Sequence, residues 1–257
     1  MTTSVTIIGA GNVATHLAKT LSGNGFVIKQ IYSRTEESAA VLANELQTEF
    51  TTEIRKIDIT ADMFFIALKD SVIDDVLSEI DFKNKLLVHC SGSLPLSVLN
   101  KHSKNTAVFY LLQTFSKERK IDFKHVPVFV EANTKENEKQ VLEIARKLSD
   151  TVSVADSETR KHLHISAVFA CNFVNHFYTI SAELLKSKGI SFDVLKPLIK
   201  ETAKKIESVA PEKAQTGPAV RFDENIISSH LAELKGVSDY EELYSLISKS
   251  IFEHHKK

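Results

Sequence analysis

A glycine-rich turn close to the start of the chain restricts the possible fold more than any other feature. The segment Gly9-Ala10-Gly11-Asn12-Val13-Ala14 follows the β-branched run Val5–Ile8 and opens a stretch with helical spacing of apolar residues. In that context the first glycine permits a tight turn, the second lets backbone approach a pyrophosphate, and Ala14 suits close helix–strand packing. The helix N-terminus offers free N–H groups to phosphates. The segment predicts a dinucleotide site that includes Gly9, Gly11, Asn12 and Val13, and the alternative is a glycine turn without a ligand.

Strand-like and helix-like periods alternate through the first 155 residues. Apolar strands are predicted at 5–9, 26–32, 63–68, 85–90, 126–130 and 151–154, with helices at 12–21, 36–46, 72–80 and 135–148. This alternation requires crossover connections and a parallel sheet covered on both faces. After Ala155 only helices are predicted, at 158–188 as one long helix or two closely joined ones, and at 193–209 and 240–255. We therefore predict an α/β fold, a Rossmann-type doubly wound parallel sheet over residues 1–155 followed by an all-α domain over 156–257.

Charge and composition exclude several classes of protein. The chain of 257 residues is 43% hydrophobic and 25% charged, and its 32 basic and 33 acidic residues leave a formal charge of -1. Without a basic excess, binding to a nucleic-acid backbone is not expected. No apolar run reaches about 18 residues and no signal peptide is recognised, so no membrane partner is expected. The separated Cys90 and Cys171 indicate reduced thiols and a cytoplasmic location.

The end of the second strand indicates which nicotinamide cofactor is preferred. An NAD site usually places Asp or Glu there to bind the ribose 2′-OH, whereas this strand ends with Ser33, Arg34 and Thr35. Arg34 can bind a 2′-phosphate and stack on adenine, and the two hydroxyls add donors. These residues predict NADP as the cofactor. The alternative is that Arg34 is a surface charge neutralised by neighbouring glutamates.

Two further strand ends contribute candidate cofactor residues. Ala67, Leu68 and Lys69 follow the third strand, and Ser91 follows the fourth. Open α/β sheets bind ligands at the carboxyl ends of their strands, so these residues are expected to contact the cofactor. Lys69 can bind either cofactor or substrate, and a solvated lysine is the alternative.

These motifs resemble the N-terminal domain of the NADP oxidoreductases, a group that includes F420-dependent NADP oxidoreductase and pyrroline-5-carboxylate reductase. The second half is similar to the family with a C-terminal domain of unknown function, DUF2520. That similarity lies in the segments 112–115, 164–173 and 216–223, with His230 and Leu231. The resemblance implies a helical domain like those of 6-phosphogluconate and β-hydroxyacid dehydrogenases, and a homodimer formed through that domain. It leaves open whether a deazaflavin takes part.

One departure from the related dehydrogenases concerns the catalytic lysine. In β-hydroxyacid dehydrogenases the corresponding long helix carries a lysine one turn before an asparagine. Here Val168 stands four residues before Asn172. The lysine mechanism therefore cannot be transferred to this chain.

Polar residues on the long apolar helix are the candidate catalytic groups. Residues 165–180 are apolar nearly all round, which predicts a buried helix. At about 100° per residue, His164, Asn172 and Asn175 can face one cleft. We expect His164 to act as general acid and Asn172 to orient the substrate. The alternative is that the helix asparagines and His176 satisfy a neighbouring backbone or a dimer partner.

Arg221, in the segment Thr216–Asp223, can present a bidentate fork to a carboxylate or phosphate. A purely structural ion pair with Asp223 is the alternative. No spacing of His, Cys, Asp and Glu predicts a metal site, and no nucleophile motif is present.

Together these observations predict an NADP-dependent oxidoreductase that transfers a hydride between NADP(H) and a small, anionic carbonyl or imine substrate. The alternative from another class is a non-catalytic NADP(H)-binding sensor or dimeric scaffold.

Overall fold

A computed structural model describes residues 3–237 and 239–256 of the chain. It contains one eight-stranded sheet with the strand order β3-β2-β1-β4-β5-β6-β7-β8. The strands are β1 Ser4–Ile8, β2 Val27–Tyr32, β3 Glu49–Thr51, β4 Met63–Ile66, β5 Leu86–His89, β6 Asn105–Leu111, β7 Val128–Ala132 and β8 Val152–Val154. The strand order reverses beside β1, which places the glycine-rich turn at the point where such sheets bind ligands. The predicted fold class is confirmed.

Each segment predicted to be helical contains a helix. The helices are α1 Asn12–Gly23, α2 Glu36–Leu46, α3 Ile73–Leu77, α4 Lys135–Leu148, α5 Ser157–Ala167, α6 Val174–Lys186, α7 Lys196–Lys205, α8 Pro211–Ala214, α9 Pro218–Arg221, α10 Glu224–Leu234 and α11 Tyr240–His255. Three of them, α8 to α10, lie outside the predicted segments. None of the helices within residues 3–237 and 239–256 combines the length and the hydropathy of a membrane-spanning segment.

The central strands are buried on both faces. On β1, Ile7 packs in a cluster with α1 residues such as Leu17 and Leu21, whereas its neighbour Ile8 packs in a second cluster with Phe64 and Ile66 of β4. Successive side chains of a strand point to opposite faces, so an uninterrupted apolar run indicates a strand with a core on each side. This is why the central strands were recognisable from composition alone.

The strands β3 and β6 were not predicted, and one strand runs in an unexpected direction. The strand β7 pairs antiparallel with β6, whereas all other pairs are parallel. A parallel return needs a crossover, usually a helix. Between these two strands the chain forms only a short 3-10 turn, Phe123–His125, so it returns antiparallel.

The chain divides into two compact units, residues 1–172 and 173–257. The first holds the whole sheet together with α1 to α5, and the second holds α6 to α11. The boundary proposed from the sequence, between 155 and 156, stays a prediction.

Of the two alternatives predicted over 158–188, the structure has two closely joined helices rather than one long helix. A π-helical turn, Val168–Phe173, separates α5 from α6. Such a turn has i→i+5 hydrogen bonds and an extra residue, so the assumed 100° per residue does not hold through it. The prediction that residues 165–180 are buried is also wrong. Ile165 is 44% exposed, Phe169 65% and Phe177 37%, because apolar composition reports a tendency toward burial but does not supply the surface that would cover the helix.

Candidate functional site

Gly9 makes the tight turn that follows β1. Its φ is +129°, and a Cβ placed on it would lie 2.4 Å from the carbonyl oxygen of Ala67. Its N–H donates to the carbonyl of Tyr32 at 2.8 Å. A side chain is excluded here both by the backbone conformation and by the close approach of the β4 end. Gly9 therefore makes the tight turn that the sequence analysis expected of the first glycine.

The N-terminus of α1 is suited to bind phosphate. A Cβ on Gly11 would meet nothing within 4 Å, so space is open beside its backbone. No side chain caps this end of the helix, and its first turn has no acidic residue. Ala14 is fully buried under the helix. Uncapped N–H groups with open space in front of them fit the pyrophosphate of a dinucleotide, and an acidic residue that would repel it is missing from that turn.

Arg34, at the end of β2, is exposed and lies next to Ser33, whose Oγ accepts a hydrogen bond from the Thr35 N–H at 3.3 Å. No carboxylate within residues 3–237 and 239–256 forms an ion pair with the Arg34 guanidinium. The alternative in which neighbouring glutamates neutralise Arg34 is therefore not seen. Its charge is available for a ligand phosphate.

A cavity of about 310 Å³ lies beside the glycine-rich turn, within the first unit. It brings together seven of the predicted cofactor residues, namely Gly11, Asn12, Val13, Ala67, Leu68, Lys69 and Ser91. The candidate general acid His164 lines the same cavity. Residues from four separate parts of the chain thus meet at the carboxyl ends of β1, β4 and β5. The cavity is the candidate functional site.

Two of the predicted cofactor residues also shape the cavity wall. The Asn12 side-chain amide donates to the Phe115 carbonyl at 2.8 Å. The Ser91 hydroxyl accepts from the N–H groups of Ser93 and Leu94 and donates to Asp70 Oδ2 at 2.9 Å. Lys69 is exposed and has no ion pair among the described residues. The ammonium group of Lys69 in the cavity wall is therefore available to an anionic ligand.

His164 reaches the cavity from α5. Its Nδ1 lies 3.2 Å from the hydroxyl of Tyr110 on β6, and the two rings meet edge to face with centroids 6.0 Å apart. A Cβ on Gly92 would lie 2.7 Å from Tyr110 Cε2 and 2.8 Å from His164 Nδ1. The sequence analysis missed Tyr110, because it did not recognise β6 and because 54 residues separate the two rings.

Two other titratable groups at this edge of the sheet are held in one protonation state. Burial, reinforced by the nearby charge of Arg160, lowers the pKa of His89 to about 3. Burial raises the pKa of the Cys90 thiol to about 12. At neutral pH His89 is uncharged and Cys90 is protonated. Neither is suited to exchange protons with a substrate.

The other candidate residues are not among those that line the cavity of the first unit. Asn172 is exposed in the π-helical turn and does not line the cavity, and Asn175 and His176 are exposed on α6. Arg221 is exposed on α9 of the second unit. No ion pair between Arg221 and Asp223 is found in the described part of the chain, because Asp223 instead caps α10 by accepting from the Ile226 N–H. No group of three metal-ligating side chains occurs among the described residues.

Two family descriptions match the chain. Residues 4–92 match the NADP oxidoreductases described as coenzyme F420-dependent. Residues 126–251 match the domain of unknown function DUF2520. A comparison with curated proteins found no match.

Solved structures share the fold of the whole chain. A Bacteroides fragilis protein assigned to the NADP oxidoreductases is 47% identical, with 98% of each chain covered and a TM-score of 0.94. A Thermotoga maritima protein is 22% identical, covering 98% of this chain and 100% of its own, with a TM-score of 0.82. An imine reductase from Myxococcus stipitatus, in complex with NADP+, is 14% identical, covering 98% and 93%, with a TM-score of 0.66.

Proposed function

The chain belongs to the family of NADP oxidoreductases that carry a C-terminal DUF2520 domain, and from that premise we propose that it catalyses hydride transfer between NADP(H) and a small, anionic carbonyl or imine compound. The resemblance predicted from the sequence is confirmed, as is NADP as the cofactor of the family. The substrate class and the reaction are the proposal.

The observation that carries this proposal is the cavity beside the glycine-rich turn. It places backbone and side chains suited to a dinucleotide next to a histidine that can exchange a proton. An NADP-binding protein without catalysis has no need of such a group at that position. The imine reductase that shares the fold supports an imine as one of the substrate classes to test.

The residues of the first unit fit NADP. The uncapped N-terminus of α1 would bind the pyrophosphate, Gly11 would let it approach, and Arg34 would bind the 2′-phosphate. Ser33 and Thr35 would add hydroxyl donors, and Ala67 and Leu68 would line the wall beside the cofactor. When bound, NADPH supplies the hydride.

The chain's own contribution to the reaction is to orient the substrate and to supply a proton. His164 would donate a proton to the substrate oxygen or nitrogen that gains electrons in the reduction. Lys69, with its free charge in the wall, would attract an anionic group. We also keep two proposals that the cavity geometry does not support directly. In these, Asn172 orients the substrate and Arg221 binds its anionic group.

Replacement of Arg34 by alanine is expected to weaken NADPH binding about 10- to 100-fold and to leave NADH binding within about twofold. The lost interaction is a charge-assisted hydrogen bond to the 2′-phosphate, worth about 1.5–3 kcal/mol. Titrations followed by nicotinamide fluorescence measure both affinities, and the chain has no tryptophan to transfer energy to the ligand.

Arg146→Ala is the matched control, because it removes an exposed arginine from α4, which packs against β6 and β7 rather than β2. It should leave both affinities unchanged. Equal weakening of NADPH and NADH by Arg34→Ala would contradict the assignment of Arg34 to the 2′-phosphate.

The second candidate function is a non-catalytic NADP(H) sensor or scaffold. It is favoured by Val168, which stands where the related dehydrogenases place a lysine. NADPH binding with no NADPH consumption across a panel of anionic ketones, aldehydes and cyclic imines would favour this function.

We also propose that two copies of the chain associate through the helical unit. Apolar side chains there remain exposed on several elements, including Val194 at 60%, Leu198 at 63%, Ile206 at 54% and Leu246 at 65%. Monomeric proteins rarely expose extended apolar surface. The family resemblance implies that a second copy of this chain covers this apolar surface.

Light scattering should give about twice the chain mass of 28.7 kDa. Leu198→Glu on α7 should shift the protein to monomer, because a charge would be buried in the interface. Val41→Glu on α2 of the first unit changes a side chain of similar exposure, 56%, and should leave the dimer intact. A wild-type monomer at micromolar concentration would contradict the proposal.

A further inference from the structure

The side chain that holds the candidate acid in place lies on the sheet, and neither the family descriptions nor the motifs of the sequence include it. Tyr110, on β6, is 6% exposed. Its hydroxyl and the Nδ1 atom of His164 are 3.2 Å apart. Within the described residues, His164 is the one hydrogen-bond partner of this hydroxyl.

The contacts of His164 show which edge of its ring is engaged. Nδ1 faces the Tyr110 hydroxyl, and Nδ1 and Cγ are the ring atoms nearest to a Cβ position on Gly92, at 2.8 and 2.9 Å. One edge of the imidazole is therefore packed against Gly92 and Tyr110. The opposite edge, which carries Nε2, remains for the cavity that His164 lines.

Burial raises the pKa of Tyr110, so its phenol keeps its proton at neutral pH. A buried O–H without an acceptor is unfavourable, and the acceptor available here is Nδ1. When the imidazole is neutral, the hydroxyl therefore donates to Nδ1, and the ring proton sits on Nε2. When the imidazole is charged, Nδ1–H can instead donate to the phenol oxygen. A rotating hydroxyl can thus pair with His164 in both protonation states.

The helix that carries His164 is itself fixed to the sheet one turn earlier. Arg160 is fully buried, forms an ion pair with Glu131 of β7, and donates from Nη2 to the Leu94 carbonyl at 2.5 Å. Contacts with β6 and β7 therefore fix both the ring of His164 and the helix backbone that carries it.

We propose that Tyr110 is a positioning residue that, together with Gly92, fixes His164 with Nε2 toward the cavity and lets the ring alternate between its neutral and charged forms. The catalytic meaning of this arrangement rests on the proposed function. In the proton transfer, the Nε2–H bond of the imidazolium breaks and its electron pair stays on Nε2. The proton goes to the substrate anion. The ring is then transiently neutral with its remaining proton on Nδ1, which it donates to the Tyr110 oxygen, until a hydronium ion from the solvent protonates Nε2 and becomes water. This transient form differs from the resting neutral ring, in which the proton is on Nε2.

The first test needs no substrate. In protein labelled with ¹⁵N-histidine, the ring nitrogens of His164, assigned with His164→Gln, should report the Nε2–H form alone when the ring is neutral. Tyr110→Phe should convert this signal to a mixture of the two neutral forms. Gly92→Ala should have the same effect, because its Cβ pushes the two rings apart. Tyr178→Phe on α6 is the control and should leave the spectrum unchanged. Identical His164 spectra in wild type and Tyr110→Phe would overturn the proposal.

The second test is a double-mutant cycle on turnover at saturating NADPH. Tyr110→Phe should lower kcat at least tenfold with the NADPH affinity unchanged, and it should have no additional effect in the His164→Gln background. Equal losses in both backgrounds would mean that Tyr110 does not act through His164, which overturns the proposal. If His164→Gln itself leaves kcat unchanged, the proposed acid fails, while the spectrum still decides whether Tyr110 holds the ring.

Discussion

The His164→Gln variant is expected to bind NADPH as tightly as the wild-type protein and to turn over its substrate about 10²- to 10⁴-fold more slowly. This range is the usual contribution of a positioned general acid or base. Glutamine preserves much of the volume and polarity of the side chain but cannot donate a proton in the same way. Because the substitution removes an interaction used only in the transition state, kcat should fall while the KM for the substrate changes little.

His162→Gln is the matched control for this experiment. His162 is an exposed histidine on the same helix, two residues earlier, and it does not line the cavity. It should retain wild-type turnover. A His164→Gln enzyme with unchanged kcat would require a different acid, and a loss of NADPH binding would indicate that His164 supports the cofactor site instead.

The Arg160→Met variant is expected to lower the free energy of unfolding by about 3–5 kcal/mol, the usual effect of removing one partner from a buried ion pair. Arg160 is fully buried, and its guanidinium holds together the Glu131 carboxylate, the Leu94 carbonyl and the Ser157 hydroxyl. Methionine fills most of the space, but it leaves the Glu131 carboxylate with the Ser157 hydroxyl and without its cation, and it removes the guanidinium donor to the Leu94 carbonyl. Urea unfolding of the full chain, followed by circular dichroism, measures the change.

Two companion variants separate the ion pair from the general effect of mutating this helix. Lys161→Met changes the exposed neighbour of Arg160 and should alter stability by no more than about 0.5 kcal/mol. The double replacement of Arg160 and Glu131 by methionine should recover part of the loss, because no unpaired carboxylate is then left. An Arg160→Met protein within 1 kcal/mol of wild type would show that water replaces the guanidinium without penalty.

Local sequence patterns were sufficient to predict the backbone geometry of the glycine-rich turn, whereas its role in binding a nucleotide stays a prediction. Gly9 and Gly11 lie between a β-branched run and an amphipathic helix, and both the positive φ of the first and the open space beside the second appear in the structure. The same holds for Arg34, whose position follows directly from the end of β2. Each inference needed only neighbours a few residues apart, which is the distance over which turn and helix preferences act.

Predictions about the long helix were weaker for two physical reasons. A helical wheel assumes a constant angle per residue, and the π-helical turn Val168–Phe173 breaks that assumption. Apolar composition predicted burial, yet Ile165 and Phe177 remain exposed. Apolar composition indicates that burial of a helix would be favourable, but it does not show whether another surface covers that helix.

By itself, the sequence determined the glycine turn at the start of α1 and most of the order of strands and helices, apart from β3, β6 and the helices α8 to α10. Both depend on residues that are close along the chain. The assignment of Arg34 to the 2′-phosphate of NADP rests on the same kind of local pattern and stays a prediction. Only the tertiary structure brought Tyr110 to His164, and Arg160 to both Glu131 and Leu94. Those contacts join residues 29 to 66 positions apart. They are decided by which strands become neighbours when the crossovers close the sheet, and no periodicity within a single element records that choice.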